Sequence, residues 1–214
     1  MTVAVIADIV GSRLLDDRSR TQAQIEATMA EVDRALPVAV TPMRATFADE
    51  FQAVFDELDD ALAWLLLLQL SLPDEASLRF GVGVGDVGSV ASESSDISDG
   101  PGWWRAREAI EQVHAMQDRA VPRARTRIVG GEDEDVAMAD RIRFANAYLL
   151  SRDEIVGAMS ERARRLTYGR CLGRTQGALA KEEGITQSAV SQLLASSGAP
   201  AIVAGYAALT ERSS

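Results

Sequence analysis

Four acidic side chains lie where strands and turns are predicted, and their chemistry gives the first hypothesis. Asp8 ends a β-branched apolar run, Asp49 and Glu50 lie between two apolar runs, and Asp86 lies on a later strand. Two carboxylates held side by side repel each other, and a divalent cation between them relieves the repulsion. We expect Asp8 and Asp49 to hold Mg²⁺ or Mn²⁺, and Asp86 to be structural or exposed. A simpler alternative is that Asp8 only caps the turn after its strand.

A phosphate group could be bound next to these carboxylates. Gly11 and Ser12 follow the first predicted strand, so their backbone N–H groups could bind an anion at the start of the next helix. Together with the metal pair, they predict a site for a nucleotide.

A second constellation, near the C-terminus, predicts two short helices joined by a tight turn. Thr175 can cap a helix over residues 176–183, and Thr186 can cap a helix over residues 187–195. Gly184 follows the first helix, where a left-handed residue commonly ends one. Two short capped helices joined by a glycine turn form the helix-turn-helix unit of DNA-binding proteins.

The polar side chains of this segment are suited to binding double-stranded DNA. Gln and Ser can bond base edges, and Gln can make two hydrogen bonds to adenine. The residues expected to contact DNA are Arg174, Thr175, Gln176, Thr186, Gln187, Ser188, Ser191 and Gln192. Basic residues expected to hold phosphates are Arg162, Arg164, Arg165, Arg170, Arg174 and Lys181. The alternative is a helical pair used for packing or for binding another protein.

The charge distribution limits how DNA could be approached. The net charge is −10, but residues 151–214 hold eight Lys or Arg and six Asp or Glu, so the rest of the chain carries −12. The DNA phosphates would repel the acidic residues 1–150, so only residues 151–214 could approach DNA closely. Because one nearly neutral unit would bind weakly, we expect a homodimer that contacts paired half-sites.

Composition indicates an ordinary globular protein of the cytoplasm. The chain has 214 residues, 47% of them hydrophobic, and a single cysteine that excludes an intramolecular disulfide. The first residues lack the basic region of a signal peptide. The longest apolar run, residues 61–70, is too short to cross a bilayer, so we expect no membrane partner.

Hydrophobic periodicity and turn residues predict an α+β fold in two domains. Residues 1–150 are expected to form a ferredoxin-like βαββαβ domain, and residues 151–214 a small all-α domain. Interior glycines at 81, 83 and 85 imply close approach of another backbone or a ligand. The predicted strands are 2–9, 43–47, 51–55, 78–90 and 125–129; the predicted helices before residue 150 are 18–36, 56–72, 103–119 and 135–150; residues 48–50 form a hairpin and 91–102 a loop.

Three segments carry a resemblance to known families. DIVGS, F-x-DEFQAVF and RFGVGVGDV resemble, in this spacing, the catalytic palm of class III nucleotidyl cyclases. The resemblance implies that Asp8 and Asp49 hold two metal ions that bind a nucleoside triphosphate, with Glu50 beside it. With GPGWW-x-AREAI and the C-terminal helix pair, nearly the full chain is similar to the SatD family. The pair itself resembles the helix-turn-helix of regulators and of sigma region 4.

The departures from the cyclase pattern matter for activity. The cyclase helix after the glycine-rich strand supplies an Asn and an Arg, whereas here the segment holds Arg105 and Arg107 but no Asn. The Lys that selects adenine is also missing, and Ala45 lies near its position with Arg44 beside it. Phosphoryl transfer depends on positioned charges. The resemblance therefore implies nucleotide binding, with Arg105 and Arg107 as candidate phosphate contacts, rather than fast catalysis.

These observations predict a DNA-binding transcriptional regulator. Its cyclase-like domain would sense a nucleotide or mediate dimerisation. The alternative is a metal-dependent enzyme that processes a nucleotide through Asp8 and Asp49. A third interpretation is an adaptor whose helical tail binds only protein.

Overall fold

The computed structural model of the protein describes residues 2–12, 17–46, 49–90, 97–132 and 134–211. Up to residue 129 the chain contains both strands and helices, and after it the described residues form helices but no further strand. The strands are β1 (Val3–Ile9), β2 (Ala39–Ala45), β3 (Glu50–Phe55), β4 (Leu78–Val84), β5 (Gly88–Val90), β6 (Ile97–Asp99) and β7 (Thr126–Val129). The helices are α1 (Arg18–Ala35), α2 (Leu58–Ser71), α3 (Pro101–Arg119), α4 (Val136–Ala158), α5 (Glu161–Cys171), α6 (Gln176–Glu183), α7 (Gln187–Ser196) and α8 (Ala199–Thr210).

Five strands form one sheet in the order β2-β3-β1-β4-β7. The pairs β2–β3, β3–β1 and β1–β4 are antiparallel, and β4–β7 is parallel. Short strands β5 and β6 pair with each other in a separate two-stranded sheet. The predicted α+β class is confirmed.

Alternation along β1 directs its side chains into two apolar layers. Val3, Val5 and Ala7 belong to the large core that includes residues of α1 and α2. Ala4 and Ile6 belong to a smaller cluster with Trp103, Ala106 and Ile110 of α3. The sheet is therefore covered by α1 and α2 on one face and by α3 on the other.

The glycines of β4 allow α3 to pack directly on the sheet. A Cβ atom at Gly81 would lie 2.1 Å from the carbonyl oxygen of Ala106, and one at Gly83 would lie 2.0 Å from that of Gly102. These distances are far below van der Waals contact, so any side chain there would displace the helix. The close approach predicted at these positions is to the backbone of α3.

Several predicted boundaries are wrong. The strand predicted over 78–90 ends at Val84, because Gly85 has a φ of 147° and turns the chain away from the sheet. The predicted loop 91–102 contains β6, and α3 already begins at Pro101. Residues 91–96, residue 47 of the predicted strand 43–47 and residue 48 of the predicted hairpin 48–50 lie outside the described residues.

Helix α4 continues past the predicted domain boundary. The helix expected to end at Leu150 instead ends at Ala158. Leu149 of α4 and Ile202 and Tyr206 of α8 belong to the same apolar core as α2 and the sheet. The two predicted units therefore share one core, and the division at residue 150 stays a prediction.

Helix α2 explains the long apolar run of the sequence. All ten residues 61–70 are buried, because α2 contacts the sheet on one side and α5 and α8 on the other. A helix that is apolar all round must be covered all round.

Within the described part of the chain, no single helix is long and apolar enough to span a membrane. Only α7 and α8 taken together reach that length and composition, and they are bent by 80°.

Candidate functional site

The helices α6 and α7 are both capped, and they are joined by a tight left-handed turn. Thr175 Oγ1 accepts a hydrogen bond from Ala178 N at 3.2 Å, and Thr186 Oγ1 accepts one from Ala189 N at 3.2 Å. Gly184 ends α6 with φ 65° and ψ 31°. Threonine caps satisfy backbone donors that the first turn leaves free. These three residues therefore fix where each helix begins and ends.

Helix α7 has one apolar side and one polar side. Val190 and Leu194 are buried in the core. The exposed side, here called the α7 polar face, contains no charged residue and consists of Gln187, Ser188, Ser191 and Gln192. The Thr186 and Ser188 hydroxyl oxygens lie 2.9 Å apart. The face offers hydrogen-bond donors and acceptors to a ligand but no net charge.

The neighbouring helix α5 supports α6 through a close contact. A Cβ atom at Gly169 would lie 2.5 Å from Leu179 Cδ2, so the glycine provides the room for Leu179. Both residues are buried. Helices α5 and α8 also contact α2, and α2 contacts the sheet. The helix pair is therefore connected to the sheet through these helices.

Most basic residues expected to hold phosphates are engaged within the protein. Glu183 pairs with Arg165 at 2.9 Å and with Arg162 at 3.3 Å. Hydrogen bonds from Arg165, followed by its charge and that of Arg162, lower the pKa of Glu183. The other three pairs join Arg164 to Asp74, Arg174 to Glu182 and Arg170 to the carbonyl of Arg174. Of the six predicted residues, five already donate to protein acceptors, so phosphate contacts would have to compete with them.

A charged cluster lies on the sheet face that α3 covers in part. Asp8 is directly opposite Glu50 on β3 and Arg79 on β4. Arg79 Nε donates to Asp8 Oδ1 at 2.8 Å, and Arg107 Nη1 of α3 donates to Glu50 Oε2 at 2.5 Å. The hydrogen bond to Glu50 raises the pKa of Arg107, and the charges of Glu50, Glu111 and Asp8 add to this. We call these four residues, Asp8, Glu50, Arg79 and Arg107, the Asp8 cluster.

The Asp8 cluster changes the electrostatic argument for a cation. Contrary to the expectation from the sequence, these carboxylates are not unpaired, because Arg79 compensates Asp8 and Arg107 compensates Glu50. The strand register also places Glu50, not Asp49, opposite Asp8. In the part of the chain that is described, no group of three or more His, Cys, Asp or Glu residues is arranged to hold a metal ion.

The remaining predicted nucleotide contacts lie apart from one another. Gly11 has φ 68° and lies, with Ser12, several residues before α1, whose N-cap is Asp17. Arg105 donates to the carbonyl of Val84 at 2.6 Å, which is the far end of β4 from Arg79. The structure therefore brings Arg107 to Asp8 but leaves Arg105 near the opposite end of that strand.

Asp86 and the tryptophans occupy the same far end of the sheet. Asp86 is exposed, and its carbonyl accepts a hydrogen bond from Gly102 N at 2.9 Å. Trp103 is buried against the sheet, whereas Trp104 is exposed and donates from Nε1 to Asp99 at 3.0 Å. Asp86 thus has the structural and exposed character expected of it.

The sequence interpretation missed a set of buried polar residues on α4. Asn146 accepts from Ile128 N and donates to Ile128 O, both at 2.9 Å. Asp153 accepts from Arg125 N at 2.7 Å and from Thr126 N at 2.8 Å. These side chains form hydrogen bonds with the backbone of β7 along its free edge, opposite the edge that pairs with β4. The available signal was two polar residues seven positions apart, hence on one face of a helix.

Comparison with known proteins identifies the family of the chain. No curated protein matches it at a significant level. A family model described as the SatD family matches residues 2–203, nearly the whole length, and the chain therefore belongs to the SatD family.

Proposed function

We propose that the protein is a transcriptional regulator that binds double-stranded DNA through α6 and α7 as a helix-turn-helix. One observation carries the proposal: two short capped helices, joined at a left-handed glycine, present the uncharged α7 polar face to solvent. Helices of this kind enter the major groove and contact bases near their N-terminal end. Gln187 and Ser188 lie at that end, and Ser191 and Gln192 lie one turn later.

The sheet portion supports a cyclase-like interpretation of residues 1–150. The order β2-β3-β1-β4, with antiparallel neighbours and helices after β1 and β3, favours a ferredoxin-like βαββαβ unit. We propose that this portion senses a nucleotide or pairs two copies. In either case its effect on DNA binding requires a ligand or contact that favours one arrangement of the two tails.

The charge distribution favours a homodimer with few phosphate contacts. Five of the six basic residues near the helix pair have protein partners, and the remainder of the chain is acidic. The slope of log K against log salt is about −0.9 per phosphate contact. A dimer with about two contacts on each protomer would then give a slope of about −4. This is a shallow dependence for a specific DNA-binding protein.

A binding experiment with base-contact variants tests the proposal. The full-length protein is titrated with a duplex from upstream of its own gene and with a scrambled duplex, at several salt concentrations. We expect Gln187→Ala with Gln192→Ala to reduce the preference between the two duplexes about tenfold or more, since a bidentate base contact contributes about 1–3 kcal/mol. The salt slope should stay unchanged, because neither glutamine carries a charge.

The matched control changes two glutamines elsewhere. Gln22 and Gln24 of α1 lie far from the helix pair in sequence, and Gln22→Ala with Gln24→Ala should leave DNA binding unchanged. The proposal fails if the native protein binds no duplex at low salt, or if the α7 variant keeps its full sequence preference.

A second candidate function is a metal-dependent enzyme that processes a nucleotide. The observation in its favour is that the Asp8 cluster holds two carboxylates opposite each other, with Arg107 beside Glu50. Mg²⁺ or Mn²⁺ at Asp8 and Asp49 would have to displace Arg79 from Asp8. Incubation with nucleoside triphosphates and either metal, followed by product analysis, tests it. Turnover should vanish in Asp8→Asn and persist in Asp86→Asn; absence of turnover in the native protein removes this candidate.

A further inference from the structure

A cavity of about 240 Å³ lies where the sheet portion meets the C-terminal helices. It is formed where α2 ends, where β4 and β7 begin, and where α4 and α5 pass. Its polar lining comes from Gln69, Ser77, Arg125, Asp153 and Arg164, among other residues. This junction cavity shares no residue with the α7 polar face or with the Asp8 cluster.

Gln69 supplies a buried acceptor without a partner. The residue is 8% exposed, and its Nε2 donates to Asp153 Oδ1 at 3.2 Å. Because Asp153 is an acceptor, the amide of Gln69 must present its nitrogen to it, which fixes the opposite position of Oε1. Among the described residues, Oε1 of Gln69 has no hydrogen-bond partner. Buried polar atoms in this state are rare and call for a missing partner.

Arg164 supplies a buried donor without a partner in the same cavity. Its Nη2 donates to the carbonyl of Leu72 at 3.0 Å and to Asp74 at 2.7 Å. Its Nε is buried and has no partner in the described part of the chain. The side chain is thus held in place while one donor stays free.

Arg125 adds a second cation on the β7 side. Its Nε donates to Ser77 Oγ at 2.9 Å. Burial is the main cause that lowers the pKa of Arg125, and Arg79 and Arg123 lower it further against the opposite effect of Asp153. The carboxylate of Asp153 is itself occupied by Arg152, Gln69 and two backbone N–H groups. A desolvated cation near other cations is stabilised by an added anion.

We propose that the junction cavity binds an inorganic hydrogen phosphate ion, or the phosphate group of a small monoester in its singly protonated form. Arg125 and Arg164 would donate to its oxygens, and a P–OH group would donate to Gln69 Oε1. An anion that pairs with both atoms must accept and donate, which sulfate and carboxylates cannot do at neutral pH. Its volume is below the roughly 300–1,000 Å³ of pockets for drug-sized ligands, so the ligand is small.

A ligand at this place would join three parts of the molecule. Gln69 belongs to α2, Arg125 directly precedes β7, and Arg164 belongs to α5. Binding to the folded state alone would stabilise the junction between the sheet and the helical tail. Phosphate binding in the junction cavity does not depend on DNA binding by α6 and α7, and the two are tested separately.

Calorimetric titration of the full chain with inorganic phosphate tests the inference, with sodium sulfate at equal ionic strength as the comparison. We expect saturable binding of phosphate and at least about tenfold weaker binding of sulfate, because sulfate leaves Gln69 Oε1 unpaired. Glycerol phosphate forms a third arm. Tighter binding of the ester than of inorganic phosphate identifies a monoester as the ligand, and the reverse order identifies the free ion.

Three single variants locate the site. Arg125→Gln and Arg164→Gln should each weaken phosphate binding at least about tenfold. Arg143→Gln removes the same charge from an exposed residue that pairs with Asp140 and does not line the cavity, and it should bind within about twofold of the native protein. Circular dichroism verifies that each variant is folded. Equal binding of phosphate and sulfate by the native protein, or full binding by Arg125→Gln, overturns the proposal.

Discussion

Arg152 and Asp153 form an ion pair whose side chains have no exposed surface at all. Two bonds from Arg152 to Asp153 compensate the charge, and Asp153 also accepts from Gln69 and two backbone N–H groups. Desolvation makes such pairs costly to bury, but removing one partner is more costly still. The pair is therefore a position where a small chemical change should have a large effect.

Replacing Asp153 with Asn should destabilise the protein by about 3–5 kcal/mol, because it leaves the buried guanidinium of Arg152 uncompensated. Urea unfolding followed by circular dichroism measures the loss. Asp140→Asn is the matched control: Asp140 pairs with Arg143 on the surface, and exposed pairs contribute about 0–1 kcal/mol. Equal losses in the two variants would contradict the assigned role of Asp153.

Cys171 should react slowly with thiol reagents while the protein is folded. Partial burial raises the pKa of its thiol to about 12 from the ordinary value of 9.0. The reactive thiolate is then about a thousandfold scarcer at pH 8 than in an unfolded chain. Since it is the single cysteine, a chromogenic disulfide reagent reports on it alone. Rapid labelling without denaturant would show that the thiol is not buried as described.

The same shift gives a pH dependence of stability. Below pH 9 the thiol is protonated in both states, so Cys171 contributes its full share to stability. As pH rises from 9 toward 12, only the unfolded chain loses the proton, and the free energy of unfolding falls.

Single elements were predictable where local chemistry decides them. The caps at Thr175 and Thr186 and the left-handed Gly184 follow from side-chain chemistry and backbone sterics, which are visible in sequence. The strand predicted over 78–90 is too long because the alternating sequence pattern continues beyond the bend at Gly85, where β4 has already ended. The predicted length of α4 is too short because the helix is stabilised by contacts with β7. Asn146 and Asp153 of α4 accept hydrogen bonds from the backbone of β7.

Two glycine-to-alanine changes should have effects of opposite sign. Gly83→Ala places a Cβ 2.0 Å from the carbonyl oxygen of Gly102, and we expect a loss of about 3 kcal/mol or more, since overpacked cores relax poorly. Gly177 is exposed in α6, with the nearest atom 3.9 Å away. Gly177→Ala should therefore raise stability by about 0.5–1 kcal/mol. Thermal unfolding compares the two; a stable Gly83→Ala variant would contradict the close packing of α3.

The charged site was predictable in composition but not in pairing. The sequence places Asp8 at a strand end and Glu50 in a hairpin just before another strand. It does not show that Arg79 and Arg107 neutralise them, because those contacts depend on strand register and on where α3 lies on the sheet. Residues far apart in sequence also form the junction cavity, whose polar lining spans residues 69–164.

At the scale of the whole molecule, the sheet and the helical tail should unfold together. Helix α2 contacts the sheet as well as α5 and α8, and one apolar core includes all of them. Differential scanning calorimetry should show a single transition whose calorimetric and van't Hoff enthalpies agree. Two resolved transitions would show that the division near residue 150 separates independent units.

Helix α4 leaves the sheet and enters the tail as one uninterrupted rod of 23 residues, and α8 returns to contact α2. The tail is thus anchored at two points, and the described residues offer no hinge about which it could move. In the proposed homodimer, regulation would therefore have to change how the two protomers pack against each other. The distance between the two α7 helices would follow from that packing. The spacing between the two half-sites in a bound operator would then report how the two protomers are arranged at their interface.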